Sequence, residues 1–113
     1  VLGYSLKGDP REGARTLIAW ACEAKAPILS LDAPSGLDTS TGRVAQPAVR
    51  ATATLTLALP KEGLRQAPHH VGELYLADIS VPNSLYARYL NLDVPPVFSR
   101  GDVVRISLDS ARK

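Results

Sequence analysis

The chain has no methionine, a single cysteine and two histidines among 113 residues. A lone Cys22 excludes a disulfide framework and a thiolate metal cluster. It falls on the apolar face of an expected helix, where a free cysteine serves as a small hydrophobe. No apolar run approaches the length of a membrane span and no signal-peptide pattern is present, so no membrane partner is expected. Charge of one sign is scarce as well. The formal net charge is +2, and the basic residues are dispersed rather than gathered in a stripe, which gives nucleic-acid binding no electrostatic footing. The missing methionine goes with an opening Val1-Leu2-Gly3 that reads as the end of a strand and the turn after it. We therefore expect this sequence to be the later part of one domain, with the N-terminal part of the domain outside it, in a cytoplasmic protein.

What is present is an alternation of helix and strand signals. Ala14, Leu17, Ile18, Ala21 and Cys22 recur at helical spacing and predict a helix over 10–25. Asp9 is its expected cap, Pro10 suits the first turn, and Glu12 lies three residues after the cap. Pro27 closes that helix, and 28–32 reads as a short buried strand. Alternation of threonine with apolar residues predicts a second strand over 52–59, which Pro60 ends, and 74–79 reads as a third. A Ser-, Thr-, Gly- and Pro-rich segment, 33–50, separates the first two, and loops of that length are often functional. A short helix is expected over 84–90, capped by Asn83 or Ser84. Terminal strands are expected at Val97-Phe98 and over 103–108, with Arg100-Gly101-Asp102 between them. The pattern argues for an α/β layered sheet with flanking helices.

Two stretches carry candidate chemistry. In Gly3-Tyr4-Ser5-Leu6-Lys7-Gly8-Asp9, two glycines let the backbone approach a ligand, and the helix start that follows attracts anions, phosphate above all. Lys7 adds a mobile positive charge. The same residues also fit an ordinary glycine turn with a solvated lysine, and they match neither the Walker pattern nor G-x-G-x-x-G. The second stretch is Asp32-Ala33-Pro34-Ser35-Gly36-Leu37-Asp38. Asp32 directly follows an apolar run, at the strand end where ligands gather in α/β sheets, and a charge there needs a partner. It is a candidate general acid or base. Ser35 offers a hydroxyl and a carbonyl, hard oxygens suited to a hard cation. Asp38, Thr39, Ser40 and Thr41 are assigned to loop structure, since such side chains build turns on their own backbone. Ser35 as a nucleophile finds little support, because Ala33 stands where the G-x-S-x-G elbow needs its first glycine. His69 and His70 read as exposed loop residues rather than metal ligands. Lys61-Glu62-Gly63-Leu64, after the second strand, could border the cleft, but reads first as a solvated turn.

These residues also resemble a known family. Leu31-Asp32-Ala33-Pro34-Ser35-Gly36-Leu37-Asp38 with Thr41-Gly42 is similar to the D-x-P-S-G-L-D…T-G motif of NAD(P)H-hydrate epimerases, the YjeF N-terminal domain. Gly3-Tyr4-Ser5-Leu6-Lys7-Gly8 resembles that family's G-[FYT]-[GS]-[FL]-[KR]-G loop. Ala53-Thr54-Leu55-Thr56-Leu57 with Pro60-Lys61-Glu62-Gly63-Leu64 resembles A-x-x-T-[LF]…P-K-x-G-L, and Gly72 to Ile79 resembles G-x-[LV]-x-[LV]-x-D-I, with Ser80 where a glycine is usual. The family's N-N-G-G-D-G loop has no counterpart here.

The resemblance implies a Rossmann-like three-layer fold and an isomerase of nicotinamide nucleotide repair, interconverting the R and S forms of NADHX and NADPHX. It implies that Gly3, Tyr4, Ser5, Leu6, Lys7, Gly8 and Asp9 hold the substrate and that Asp32 contacts the damaged nicotinamide and moves a proton. Lys7 would be the other acid–base or electrostatic group, and Ser35 would give oxygen to a bound potassium ion. A homodimer is the assembly it allows. The alternative is a non-catalytic module that keeps the pocket for a nucleotide or a protein partner.

Overall fold

The computed structural model describes residues 8–108. In chain order they form α1 (Glu12–Glu23), β1 (Leu29–Leu31), β2 (Ala53–Leu57), α2 (Glu62–Gln66), α3 (Pro68–Val71), β3 (Glu73–Ala77), α4 (Asn83–Leu90) and β4 (Val103–Ile106). The strands make one sheet in the order β1-β2-β3-β4, in which β1, β2 and β3 run parallel and β4 returns antiparallel to β3. The expected α/β sheet with flanking helices is therefore present. Among the described residues no helix is long and apolar enough to cross a membrane.

The alternation in β2 now has a physical meaning. Thr54 and Thr56 are fully buried, level with the equally buried Leu74 and Leu76 of β3, while Ala53, Leu55 and Leu57 point the other way. A buried hydroxyl must find a partner, and Thr54 donates to the Val71 carbonyl at 2.7 Å. On this face α2, α3 and the loop after β1 close the main core, built from Ala33, Leu37, Leu64, Ala67, Val71 and Leu74. Each fully buried leucine there contributes about 2 kcal/mol of transfer free energy. A smaller cluster ties Ile18 of α1 to Val49 and Ala51.

Several expectations are corrected. α1 starts two residues later than expected, with Arg11 as its cap and no side-chain cap bond, because the Asp9 carboxylate lies beside Arg43 instead, at 3.7 Å. Cys22 is exposed, its thiol donating to the Ala48 carbonyl at 3.4 Å. In β1 only Ser30 is buried; Leu29 and Leu31, which project from the other face, are 62% and 70% exposed among the described residues. α4 begins after Pro82 without a side-chain cap. Val97-Phe98 forms a turn rather than a strand. The histidine segment is not a loop: it forms α3, with Pro68 in its first turn.

Ser80, which departs from the family's usual glycine, has φ +63, a left-handed backbone that favours glycine. Ser80→Gly is expected to raise stability by about 1 kcal/mol by removing this strain. A denaturant midpoint that stays put or falls would count against it.

Candidate functional site

Asp32 is the first residue past β1 and sits at the centre of a γ-turn. The Ala33 N–H donates to the Leu31 carbonyl at 2.9 Å and Asp32 has φ +67. Such a backbone costs roughly 1–3 kcal/mol at a non-glycine residue, and Asp is among the residues that bear it best. The Asp32 N–H still donates to the Leu55 carbonyl at 2.8 Å, so the strained turn remains stitched to β2.

β2 ends the same way. Ala58 has φ +62, and the Leu59 N–H reaches back to the Leu57 carbonyl at 2.8 Å. This second turn feeds Pro60 and then Lys61, which caps α2 in extended backbone. Lys61 is not the solvated turn residue expected from the sequence. Its ammonium donates to Asp32 Oδ1 and lies 3.4 Å from the Thr56 hydroxyl, and the lysine and aspartate side chains are only 31% and 24% exposed. The carboxylate at the strand end thus has the partner its burial demands. Spacing gave no sign of this pairing, because 29 residues separate the two. The short A-x-x-T…P-K block was the available signal.

Glycine packing fixes the neighbouring backbone. Gly36 has φ +96, and a Cβ there would stand 2.7 Å from Ala48 Cα. The Pro34–Leu37 turn is therefore pressed against the strap that leads to Val49. Ser35, only 8% exposed, accepts the Val49 N–H on its carbonyl at 2.8 Å. With Leu29, Leu31, Ala33 and Val49 it lines a groove of about 340 Å³ along β1. His70 supports the strap from beneath, its Nδ1 3.0 Å from the Val49 carbonyl. Asp38 behaves as a loop former: Oδ1 accepts the Ser40 N–H at 2.9 Å and the Thr41 N–H at 3.2 Å. The Ser40 amide, followed by the amide and hydroxyl of Thr41 and by the charge of Arg43, holds its carboxyl below the ordinary range.

Of the upstream loop, Gly3, Tyr4, Ser5, Leu6 and Lys7 lie outside the described residues. Its end is brought to the site loop: Gly8 borders a crevice shared with Gly36, Asp38 and Arg43, and Asp9 faces Arg43. Two stretches that are separate in sequence are therefore adjacent here. No group of three or more His, Cys, Asp or Glu side chains that could hold a metal exists among the described residues.

A sheet whose β1, β2 and β3 run parallel, a carboxylate on a strained turn at the carboxyl end of β1, and Gly8 beside the loop that follows it define an α/β domain of the ligand-binding, Rossmann-like class. Residues 1–63 match the family model described as YjeF-related protein N-terminus, and the chain belongs to that family. It is 39% identical over 107 residues to the NAD(P)H-hydrate epimerase of Dehalogenimonas lykanthroporepellens, covering 95% of this chain and 43% of that protein. To the bifunctional NAD(P)H-hydrate repair enzyme Nnr of Salinibacter ruber it is 43% identical over 84 residues, covering 73% of this chain and 16% of the relative. The crystal structure of the yeast protein ynu0 superposes with a TM-score of 0.75 at 21% identity, covering 94% of this chain and 44% of that one, which shows the same fold. The chain spans less than half the length of each of these relatives.

Proposed function

We propose that the protein is an NAD(P)H-hydrate epimerase, an isomerase that equilibrates the R and S forms of NADHX and NADPHX in nicotinamide nucleotide repair. The observation that carries this reading is Asp32, held by Lys61 in a strained turn at the carboxyl end of a parallel strand. It is supported by the epimerase relatives, which match the chain across that stretch.

Asp32 would take part in proton transfer at the hydrated carbon of the nicotinamide. One carboxylate oxygen accepts from Lys61, and the other would face the substrate. Gly3 to Asp9 would cradle the nucleotide with backbone amides, and Lys7 would supply a second acid–base or electrostatic group. A protonatable pair of this kind is what a mere nucleotide binder does not need.

The oxygens of Ser35 suit an alkali cation better than a divalent one. They are neutral and hard, and the described residues offer no acidic cage beside them. Ser35 would give oxygen to a potassium ion, which supplies positive charge toward an anionic substrate when bound. A requirement for potassium that weakens in Ser35→Ala is expected. Equal rates when potassium is replaced by tetramethylammonium would oppose a cation at Ser35.

The reading is tested by adding the full-length protein to a single purified epimer of NADHX. Accelerated approach to the equilibrium mixture is expected. Tight binding of NADHX with the starting epimer left unconverted would instead make the protein a non-catalytic nucleotide-binding module.

A further inference from the structure

Lys61 is absent from the roles that the sequence suggests for the site, yet the fold holds it there from three directions. Behind it, the γ-turn at Ala58 turns the chain back toward β1. Ahead of it, α2 is locked by Gly63. The Gly63 N–H donates to the Thr39 carbonyl at 2.8 Å, and a Cβ on Gly63 would stand 2.5 Å from the Asp38 carbonyl oxygen. No side chain fits between α2 and that loop. Beside it, the hydroxyl of fully buried Thr56 lies 3.4 Å from the ammonium. A lysine on a solvated turn keeps about 2 kcal/mol of rotamer freedom. Here the backbone on both sides is fixed, and the charged end lies on one carboxylate oxygen.

We propose that Lys61 is the positioning residue of Asp32: it clamps Oδ1 so that the remaining oxygen is presented to the ligand in one orientation. This rests on the epimerase reading above. A carboxylate on an aspartate side chain is otherwise free to rotate about its terminal torsion, which is broad and roughly two-fold. Misplacement of a reacting group by about 1 Å costs on the order of 100-fold in rate. The ammonium removes that freedom, and Thr56, a buried residue of β2, fixes the ammonium in turn. Lys61 acts through Asp32 and is assigned no contact with substrate.

The test uses the full-length protein and NADHX of one epimer. Lys61→Ala is expected to lower kcat about 100-fold with KM changed by less than about 3-fold. Added ethylamine is expected to restore part of the rate in a saturable way, and Lys61→Arg to retain more rate than Lys61→Ala. On an Asp32→Asn background, Lys61→Ala is expected to add almost nothing, since the two act as a unit. A kcat within about 2-fold of wild type, or a loss that multiplies fully with that of Asp32→Asn, would overturn the proposal. So would a loss matched by unfolding and untouched by ethylamine. Wild-type protein that equilibrates no epimers sinks the epimerase reading instead. The clamp is then decided by the ¹⁵N resonance of the Lys61 ammonium, which shifts on Asp32→Asn if the pair exists and stays in place if it does not.

Discussion

Asp32→Asn is expected to slow epimer equilibration by about 10²–10⁴-fold, the range of a lost general acid–base group, while the protein still folds and still binds NADHX. The substitution isolates chemistry from structure for two reasons. Asn is as tolerant as Asp of the left-handed backbone at φ +67, so the γ-turn after β1 survives. Asn also keeps a carbonyl oxygen that can accept from Lys61, although the charge is gone. The pair is partly exposed on both sides, so the stability lost with the charge is modest, about 1 kcal/mol or less. Steady-state rates should collapse while the thermal unfolding midpoint with and without NADHX moves little. A variant with wild-type rates would remove Asp32 from the reaction. One that fails to fold would show that the aspartate holds the turn rather than the substrate.

Gly63→Ala is expected to destabilise the protein by about 2–3 kcal/mol. On helix propensity alone the substitution would stabilise α2 by about 1 kcal/mol, so packing and propensity oppose each other. Packing wins at this position because the new Cβ would meet backbone, the Asp38 carbonyl oxygen at 2.5 Å and the Thr39 carbonyl at 2.6 Å. Forcing them apart costs about 1–3 kcal/mol for overpacking and about 1 kcal/mol for the Gly63 to Thr39 hydrogen bond. The displacement also moves Lys61, two residues earlier, so the rate should fall along with stability. Gly13 in α1 supplies the control. A Cβ there meets nothing within 4 Å, so Gly13→Ala should stabilise by about 1 kcal/mol. The same chemical change is thus predicted to have opposite signs at two helical glycines, as read from urea midpoints. Equal signs would contradict the close approach of α2 to the loop.

What could be read beforehand was local. Alternating threonines in β2 and the helical spacing of Ala14 to Cys22 are signals carried within a few residues, and each marked a real element. Turn chemistry within one segment was equally legible, as in the Asx bonds from Asp38 to Ser40 and Thr41. Several of the failures were long-range. Asp9 looked like a helix cap until the fold brought Arg43 beside it. Lys61 looked solvated because its placement depends on the turn at Ala58, the absent side chain of Gly63 and the backbone of Thr39. His70 looked like loop because nothing nearby in sequence shows that it will support the Val49 carbonyl. Leu29 and Leu31 had the composition of a buried strand, and composition is silent on where a strand lies in its sheet.

Substrate is expected at the carboxyl ends of β1 and β2, and one measurement tests that most directly. Full-length Asp32→Asn protein, slowed enough to hold its ligand, would be crystallised with NADHX and the nicotinamide located. The hydrated ring is predicted within about 3 Å of the residue 32 side chain, with the diphosphate toward Gly8 and the loop before it. A ring out of reach of residue 32, for example in the groove lined by Arg50, Gln66 and His69, would contradict the account.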